Sequence, residues 1–433
     1  MSNRETAEER GSNISRRDAL SLLAGAAVGG PGTAGRESGL TPDATGSARR
    51  FRVRTLTAGV SLASLTDSGP VVTALEFLAA ARRQVVAAGY EVQTVRVALN
   101  PLLLGVPATQ RSDALPALVA LDRLVEERGA VLNIGPVFAH GAPDESIAPW
   151  AAAFARATRA TSFSVAVASA AHGVHAAAVQ VAASVISALA TLTPDGGTNF
   201  RFAAAANIPP GTPFFPVGYH EGPPSLAVGL ESANLVADAF TGARDAGEAT
   251  ARLRTLLNAE LRPVERLARA IAADGGRRYL GIDSSPAPAT DCSIGAALEA
   301  LTGQPFGAAA TLQACAAVTA AIKSLDVETC GYSGLMLPVL EDPVLARRAV
   351  EGRVSLAQLL LYSSVCGTGL DLVPVPGEAA VAELGRIVGD MATLAVRLTK
   401  PLSARLLPVP GKRAGDPVAF ADPRLCPSRV LAL

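Results

Sequence analysis

The strongest constraint on the fold is the regular alternation of two kinds of apolar segment in the first half of the chain. Runs with strand character, such as "FRVRTLTAGVSL" (51–62) and "EVQTVRVAL" (91–99), are separated by alanine-rich runs of helical period, such as "VVTALEFLAAARRQVVAAG" (71–89). Strands separated by helices of ten or more residues pair in parallel through right-handed crossovers. The first half therefore predicts a parallel α/β sheet or half of a barrel.

The second half of the chain predicts longer helices. We interpret "PSLAVGLESANLVADAF" (224–240) as one helix, which Ser225 would cap and which would carry Glu231. A further helix is predicted over residues 248–274, where Pro263 is expected to break or kink it. No linker or internal repeat follows residue 49, so residues 50–433 are predicted to form a single domain.

Composition excludes several classes of partner. The 38 basic residues balance 38 acidic ones, and no long run of one sign occurs. This balance argues against binding to nucleic acid or to an anionic membrane surface. No segment is long and apolar enough to span a bilayer. We therefore expect a small molecule or a protein as partner, and a homo-oligomer is compatible with this composition.

Residues 1–49 are interpreted as a tail with a candidate export signal. Arg16 and Arg17 precede the weakly apolar run "SLLAGAAVGG", which resembles a twin-arginine signal without its usual Phe. If this segment is a signal, the protein is exported by the twin-arginine route. If it is only an arginine-bearing extension, the protein is expected in the cytoplasm.

Candidate site residues lie in loops near predicted strand ends, where α/β proteins carry their sites. His220, beside a carboxylate, could move a proton or hold a metal, or could hydrogen-bond its own loop. Asp283 follows a strand and could act as a base or metal ligand, or could satisfy its own turn. His172 and His175 could bind a metal, although packing or capping is favoured. Ligand contacts are predicted around these loops for Glu221, Ser225, Glu231, Ser284, Ser285 and Ser333.

The segment Cys366-Gly367-Thr368-Gly369 could expose successive backbone amides around an anion. Cys366 would then be a nucleophile or a structural thiol, and the three following residues would contact the ligand. Asp371, two residues further on, is a candidate catalytic carboxylate. The five cysteines are widely spaced without a C-x-x-C pair, which argues against a disulfide framework and a zinc cluster.

Several of these segments together resemble the family called domain of unknown function 711. The resemblance rests on "GYHEGPPSLAVGLESANLV", "GIDSSPAP", "CGTGLDLVPVPGE" and "ARLLPVPGKRAGD", and extends over nearly all of the chain after the tail. It implies a large α/β barrel like that of pyruvate formate-lyase and other glycyl radical enzymes. The C-terminal segment lacks their Arg-Val-x-Gly-Tyr type motif, so we expect the barrel without the glycyl radical. Whether a divalent metal takes part is left open by the sequence.

We expect an enzyme that uses non-radical acid/base chemistry, with or without a metal, on a small anionic metabolite in a barrel-centred cleft. The step could be that of a lyase, an isomerase or a hydrolase. The alternative is a non-catalytic metabolite-binding or sensor protein of the same fold. Convergence of His220, Asp283, Cys366 and Asp371 around one pocket would favour the enzyme, whereas scatter would favour binding.

Overall fold

The computed structural model describes residues 51–433, so the candidate export signal lies outside the described residues. The strands are β1 (Arg52–Val60), β2 (Val92–Leu99), β3 (Ala130–Pro136), β4 (Thr161–Ser169), β5 (Gly173–Val174), β6 (Phe202–Ala206), β7 (Ser225–Glu231), β8 (Arg278–Ala287), β9 (Gly369–Pro376), β10 (Leu402–Val409), β11 (Pro417–Val418) and β12 (Ser428–Arg429). The α-helices are α1 (Gly69–Ala87), α2 (Ala108–Asp113), α3 (Leu115–Glu127), α4 (Ile147–Ala157), α5 (Ala176–Ala190), α6 (Ala233–Phe240), α7 (Ala246–Asp274), α8 (Ile294–Thr302), α9 (Thr311–Lys323), α10 (Pro343–Val350), α11 (Leu356–Ser363) and α12 (Val381–Arg397).

One ten-stranded sheet organises the molecule. Its order is β8-β7-β1-β2-β3-β4-β6-β10-β9, and the short β5 pairs with β4. The central strands β1, β2, β3, β4 and β6 are all parallel, which confirms the prediction from the alternating segments. The pair β7 and β8 and the pair β10 and β9 flank this centre and run antiparallel to it.

Residues 225–231 form a strand and not the start of a helix. The prediction of one helix over residues 224–240 is therefore wrong. The strand β7 is buried along its whole length and pairs with β1, from Gly59 opposite Ser225 to Arg52 opposite Glu231. Helix α6 begins only at Ala233, so Ser225 caps no helix and Glu231 lies on a strand. A short, fully buried apolar run shows no amphipathic period, which leaves strand and helix indistinguishable in the sequence.

Helices cover the sheet and complete the apolar core. Helix α1 packs on β1 and β2, and helices α5 and α12 pack on each other and on β4. Helix α7 runs through Pro263 without a break, because its face of buried side chains, including Leu257, Leu261 and Val264, packs into the core. That burial outweighs the hydrogen bond that the proline removes. No helix among residues 51–433 has the length and apolar character needed to cross a membrane.

The expected α/β class is confirmed, but the hydrogen-bonded ladders of residues 51–433 do not form a closed barrel. The sheet ends at β8 on one side and at β9 on the other. Residues 329–338, which we call the bridging segment, make one isolated bridge to each edge. Thr329 pairs with Ile282 on β8, and Pro338 pairs with Asp371 on β9.

Asp283 fastens the bridging segment to β8. Its fully buried carboxylate accepts hydrogen bonds from the backbone N–H groups of Tyr332 at 2.8 Å and Ser333 at 3.0 Å. It also accepts from the N–H and the hydroxyl of Ser285, at 3.1 and 2.6 Å. Burial raises the pKa of Asp283, although these hydrogen bonds act in the opposite direction.

The bridging segment packs backbone to backbone against residues 366–369, which we call the glycine-rich loop. A Cβ atom on Gly334 would lie 2.5 Å from the Cα atom of Gly367, and one on Gly367 would overlap Gly334 in turn. The N–H group of Gly367 donates to the Leu335 carbonyl at 2.9 Å. This close approach requires glycine on both sides, so Gly367 has a role in the fold that is independent of any ligand.

We expect Gly367→Ala to lower the free energy of unfolding by about 2–3 kcal/mol, because the added methyl group overpacks a backbone contact. Urea unfolding followed by circular dichroism measures the change. Gly389→Ala is the matched control: it lies in helix α12, and its Cβ would meet only Val179 Cγ1 at 4.0 Å. It should stabilise by about 0.5–1 kcal/mol. Equal effects of the two variants would contradict the packing argument.

We expect Asp283→Asn to lower the free energy of unfolding by about 2 kcal/mol at neutral pH, because the amide places a donor against a buried N–H group. Asp326→Asn, at a carboxylate that is 48% exposed, is the control and should change stability by less than about 0.5 kcal/mol.

The comparison of the wild type with Asp283→Asn also tests the ionisation of Asp283. A carboxyl whose pKa is raised in the folded state is stabilising when protonated, and this contribution is lost as pH rises. The stability of the wild type relative to Asp283→Asn should therefore fall as pH rises from 3.8, the ordinary aspartate pKa, through the raised folded value. An unchanged or rising difference would show that the carboxyl is not destabilised by burial.

Candidate functional site

A small cavity lined by charged side chains lies against the bridging segment. Its volume is about 30 Å³, room for roughly two water molecules. Phe200, Phe214, Phe215 and Met336 contribute apolar walls. The charged and hydroxyl-bearing residues that line it are Arg54, Arg96, Tyr332, Glu341, Thr368, Asp371, Ser403 and Arg405. We call this space the arginine cavity.

Two of the three arginines are paired with carboxylates. The Nη2 atom of Arg54 donates to both oxygens of Glu341, at 3.0 and 3.1 Å. The Nε atom of Arg405 donates to Asp371 at 2.7 Å, and its guanidinium lies 4.8 Å from the centre of the Phe200 ring. These are charge-assisted hydrogen bonds between buried groups, so both pairs hold their side chains in fixed positions.

Arg96 has no such partner among residues 51–433. Its guanidinium is buried and donates only to the Pro213 carbonyl at 3.1 Å and to the Thr94 hydroxyl at 3.2 Å. It also lies 5.1 Å from the centre of the Phe215 ring. Burial, reinforced by the positive charge of Arg54, lowers the pKa of Arg96 to about 9, so the group still carries its charge at neutral pH. The cavity thus places three guanidinium groups opposite two carboxylates.

Hydroxyl groups complete the polar lining. The buried Thr368 hydroxyl has no hydrogen-bond partner in the described part of the chain. The Tyr332 hydroxyl donates to Ser403 Oγ at 2.7 Å, and Ser403 donates to the Thr368 carbonyl at 3.1 Å. Burial raises the pKa of Tyr332, so its hydroxyl keeps its proton. Because buried polar groups are normally satisfied, the Thr368 hydroxyl is available to a ligand.

The pKa values of the two carboxyl groups that line the cavity are shifted in opposite directions. Burial, reinforced by Glu341, raises the pKa of Asp371 in spite of its bond to Arg405. Burial opposes ionisation of Glu341 as well, but the charges of Arg54 and Arg405 outweigh it and lower the Glu341 pKa. Two carboxyl groups with oppositely shifted pKa values are a usual arrangement for acid/base chemistry.

His220 lies in its own loop, away from the lining of this cavity. The buried ring has Nε2 3.0 Å from the Gly222 carbonyl and Nδ1 3.3 Å from the Ser225 hydroxyl. It packs so closely on β1 that a Cβ atom on Gly59 would overlap it. Burial lowers the pKa of His220. Its neighbour Glu221 is exposed, so the structure joins His220 and Ser225 but leaves Glu221 apart.

Glu231 belongs to an ion-pair group at the other end of β7. It pairs with Arg52, accepts from Gln93 at 2.5 Å and lies 3.8 Å from Arg54. Burial raises its pKa in spite of these arginines. Glu231 therefore does not line the arginine cavity, but it lies near Arg54, which does.

Three of the four predicted serines, Ser284, Ser285 and Ser333, form one network with Asp283. The Ser284 N–H and hydroxyl groups lie 3.3 Å from the Ser333 hydroxyl. Ser285 donates to Asp283 and accepts from the Gly334 N–H at 3.1 Å. Several of these hydrogen bonds join β8 to the bridging segment, which favours a structural role for this set.

The glycine-rich loop is divided between two pockets. Thr368 and Asp371 line the arginine cavity, whereas Cys366 and Gly367 line a second, larger pocket. Gly369 has a φ of 92° and packs against the backbone of β10. Of the predicted site residues, only Thr368 and Asp371 thus lie together in the charged cavity.

Sequence reasoning missed the arginines that dominate this cavity. In the sequence, Arg54, Arg96 and Arg405 count only as members of a balanced set of charges. The available signal was their position: each stands within a strand whose other side chains are mainly apolar or hydroxyl-bearing, and whose residues are nearly all buried. A charged residue is rarely buried without a partner or a function.

Three of the four histidines of the chain lie together after β3 and β4. The ring centre of His140 is 5.3 Å from that of His172 and 5.7 Å from that of His175. The Ser169 hydroxyl lies 3.3 Å from His172 Nδ1 and 3.2 Å from His175 Nε2. Within residues 51–433, no three ligating side chains are arranged to hold a metal ion.

The sequence as a whole matches one protein family. The family described as "Uncharacterised ACR (DUF711)" matches residues 47–421. The UPF0210 protein of Pyrobaculum arsenaticum is 32% identical over 352 residues, which cover 76% of each chain. The UPF0210 protein of Desulforudis audaxviator is 30% identical over 399 residues, covering 85% of this chain and 88% of that relative. The chain therefore belongs to the DUF711 family, as the motifs around His220 and Cys366 predict.

Proposed function

We propose that this protein is an enzyme that binds a small anionic metabolite in the arginine cavity and acts on it by non-radical acid/base chemistry. The observation that carries the proposal is Arg96, a buried cation without a carboxylate partner in the described chain, which lines the same cavity as the unpartnered hydroxyl of Thr368. A buried, uncompensated charge is costly. An anionic ligand would supply both the missing charge and the missing acceptor.

The chemistry of the cavity favours a carboxylate as the anion. A planar guanidinium presents parallel N–H donors that match the two oxygens of a carboxylate. The volume of about 30 Å³ admits little more than a carboxylate group, so we propose that the carboxylate of a small acid is the part that enters the cavity. The phenyl rings of Phe214 and Phe215 would contact its apolar part.

Asp371 is the proposed general acid or base. Its raised pKa brings its protonation equilibrium closer to neutral pH, where proton transfer is most effective. Glu341 would stay ionised and hold Arg54 in place, while the Thr368 hydroxyl, which has no partner within residues 51–433, would donate a hydrogen bond to the substrate. The reaction would be a lyase, isomerase or hydrolase step, and a metal is not required for these roles.

We also propose that the bridging segment closes the sheet into the large barrel that the family resemblance implies. The support is its position, with one bridge to β8 and one to β9. The arginine cavity, which is lined by residues of β1, β2, β9 and β10 together with the bridging segment, would then lie inside this barrel.

A second candidate is a non-catalytic sensor that binds the same anion. It is favoured by the separate positions of His220 and Asp283, each of which is satisfied by its own loop or by the bridging segment. Under this alternative, ligand binding would be retained and no turnover would occur.

The binding proposal is tested by thermal unfolding in acetate, pyruvate and malonate at constant ionic strength. A bound acid should raise Tm of the wild type. Arg96→Met should weaken the affinity about tenfold or more, because a charged hydrogen bond contributes about 1.5–3 kcal/mol. Arg254→Met, at a side chain that is 50% exposed on α7, is the matched control. An unchanged response in Arg96→Met would exclude the cavity as the binding site.

To test catalysis, the enzyme is incubated with each acid that raises its Tm, and conversion of the acid is followed by proton NMR. Asp371→Asn should reduce turnover about 100-fold or more, the usual contribution of a general acid or base, while binding changes less. Asp326→Asn is again the control. Binding without turnover in the wild type would support the sensor, and full activity in Asp371→Asn would remove Asp371 from the chemistry.

A further inference from the structure

A second pocket, of about 390 Å³, has no role in the function proposed above. Its lining includes Thr319, Lys323, Tyr332, Cys366, Gly367 and Lys400. We call it the lysine pocket. The glycine-rich loop separates it from the arginine cavity, since Cys366 and Gly367 line one and Thr368 lines the other.

The concentration of lysine in this pocket is unusual for the chain. Only three of the 38 basic residues are lysines, and two of the three, Lys323 and Lys400, line the same pocket. Lys412 is the third and does not line it. An ammonium group is a compact point charge with rotatable donors, unlike the planar guanidinium that this protein uses elsewhere.

Backbone carbonyls hold both ammonium groups in place. Lys323 Nζ donates to the Tyr332 carbonyl at 3.1 Å. Lys400 Nζ donates to the carbonyls of Ser364 at 2.9 Å and Cys366 at 2.6 Å. Each ammonium has three N–H donors, so these contacts leave donors on both groups for a ligand.

Neither lysine forms an ion pair with a carboxylate in residues 51–433. Burial lowers the pKa of Lys323, with Asp283 acting in the opposite direction, but that carboxylate is already bonded to the bridging segment. Burial also lowers the pKa of Lys400, and Lys323 repels it further. Lys323 is exposed and Lys400 is partly buried, and two cations that repel each other at one pocket are stabilised by a shared anion.

We infer that the lysine pocket is a binding site for a phosphate or phosphate-monoester dianion, held by Lys323 and Lys400. The Thr319 hydroxyl, which lacks a hydrogen-bond partner within the described residues, would donate to the same group. The volume falls in the range of small-molecule sites, and Val365, Leu398 and Pro401 would contact the organic part of a monoester. The inference does not rest on the arginine cavity.

Inorganic phosphate is the probe, titrated by calorimetry and by thermal unfolding against chloride at constant ionic strength and neutral pH. Phosphate should raise Tm of the wild type, as binding to the folded state requires. Lys323→Met and Lys400→Met should each weaken phosphate binding about tenfold or more, the effect of removing one charged hydrogen bond. Lys412→Met, the matched control, and Arg96→Met should bind phosphate as the wild type does.

Thr319→Val gives a second readout if a lysine variant fails to fold. It removes only the unpartnered hydroxyl and keeps the shape of the side chain, so phosphate binding should weaken several-fold while Tm in chloride is retained. The inference is overturned if phosphate stabilises no more than chloride, or if all three pocket variants bind it as the wild type does. Loss of phosphate binding in Arg96→Met alone would place the anion in the arginine cavity and would also overturn it.

Discussion

The carboxylate of Asp283 is the contact on which both candidate sites depend. It holds the backbone of Tyr332 and Ser333, and so sets the position of the bridging segment between the two edges of the sheet. Tyr332 then lines both the arginine cavity and the lysine pocket, and its carbonyl receives Lys323. A residue that looks catalytic by its place at the end of a strand therefore acts first as an anchor for the walls of two pockets.

The glycine-rich loop is the second common element. Gly367 meets Gly334 backbone to backbone, and this contact lets one short stretch of chain separate two pockets of different character. On one side lie three guanidinium groups with two carboxylates, and on the other lie two ammonium groups without a carboxylate. A guanidinium binds the oxygens of an anion in a bidentate manner, whereas an ammonium acts as a point charge. The two pockets also differ in volume, about 30 Å³ against about 390 Å³, so they favour anions of different size.

Much of the fold could be predicted because strand and helix periods are local properties. The parallel centre of the sheet follows from helices that are long enough to cross between strands. The prediction failed at residues 225–231, where full burial on β7 removes the periodicity. For the site, the glycines around Thr368 and Asp371 led to the prediction of these two residues, and both line the arginine cavity. The sequence also predicted His220 and Asp283 as site residues, and neither of them lines the arginine cavity. Their partners are contributed by a local loop and by a segment about 50 residues away.

The sequence by itself determined the α/β class, the parallel order of the first strands and the family, because these follow from local periods and from motifs read in line. Only the tertiary structure decided which charges face each other. Arg54, Arg96 and Arg405 come from three distant strands, and they share a cavity because the sheet brings β1, β2 and β10 around the bridging segment. Burial and pairing of charge depend on such long-range contacts, and these have no signature in the spacing of residues along the chain.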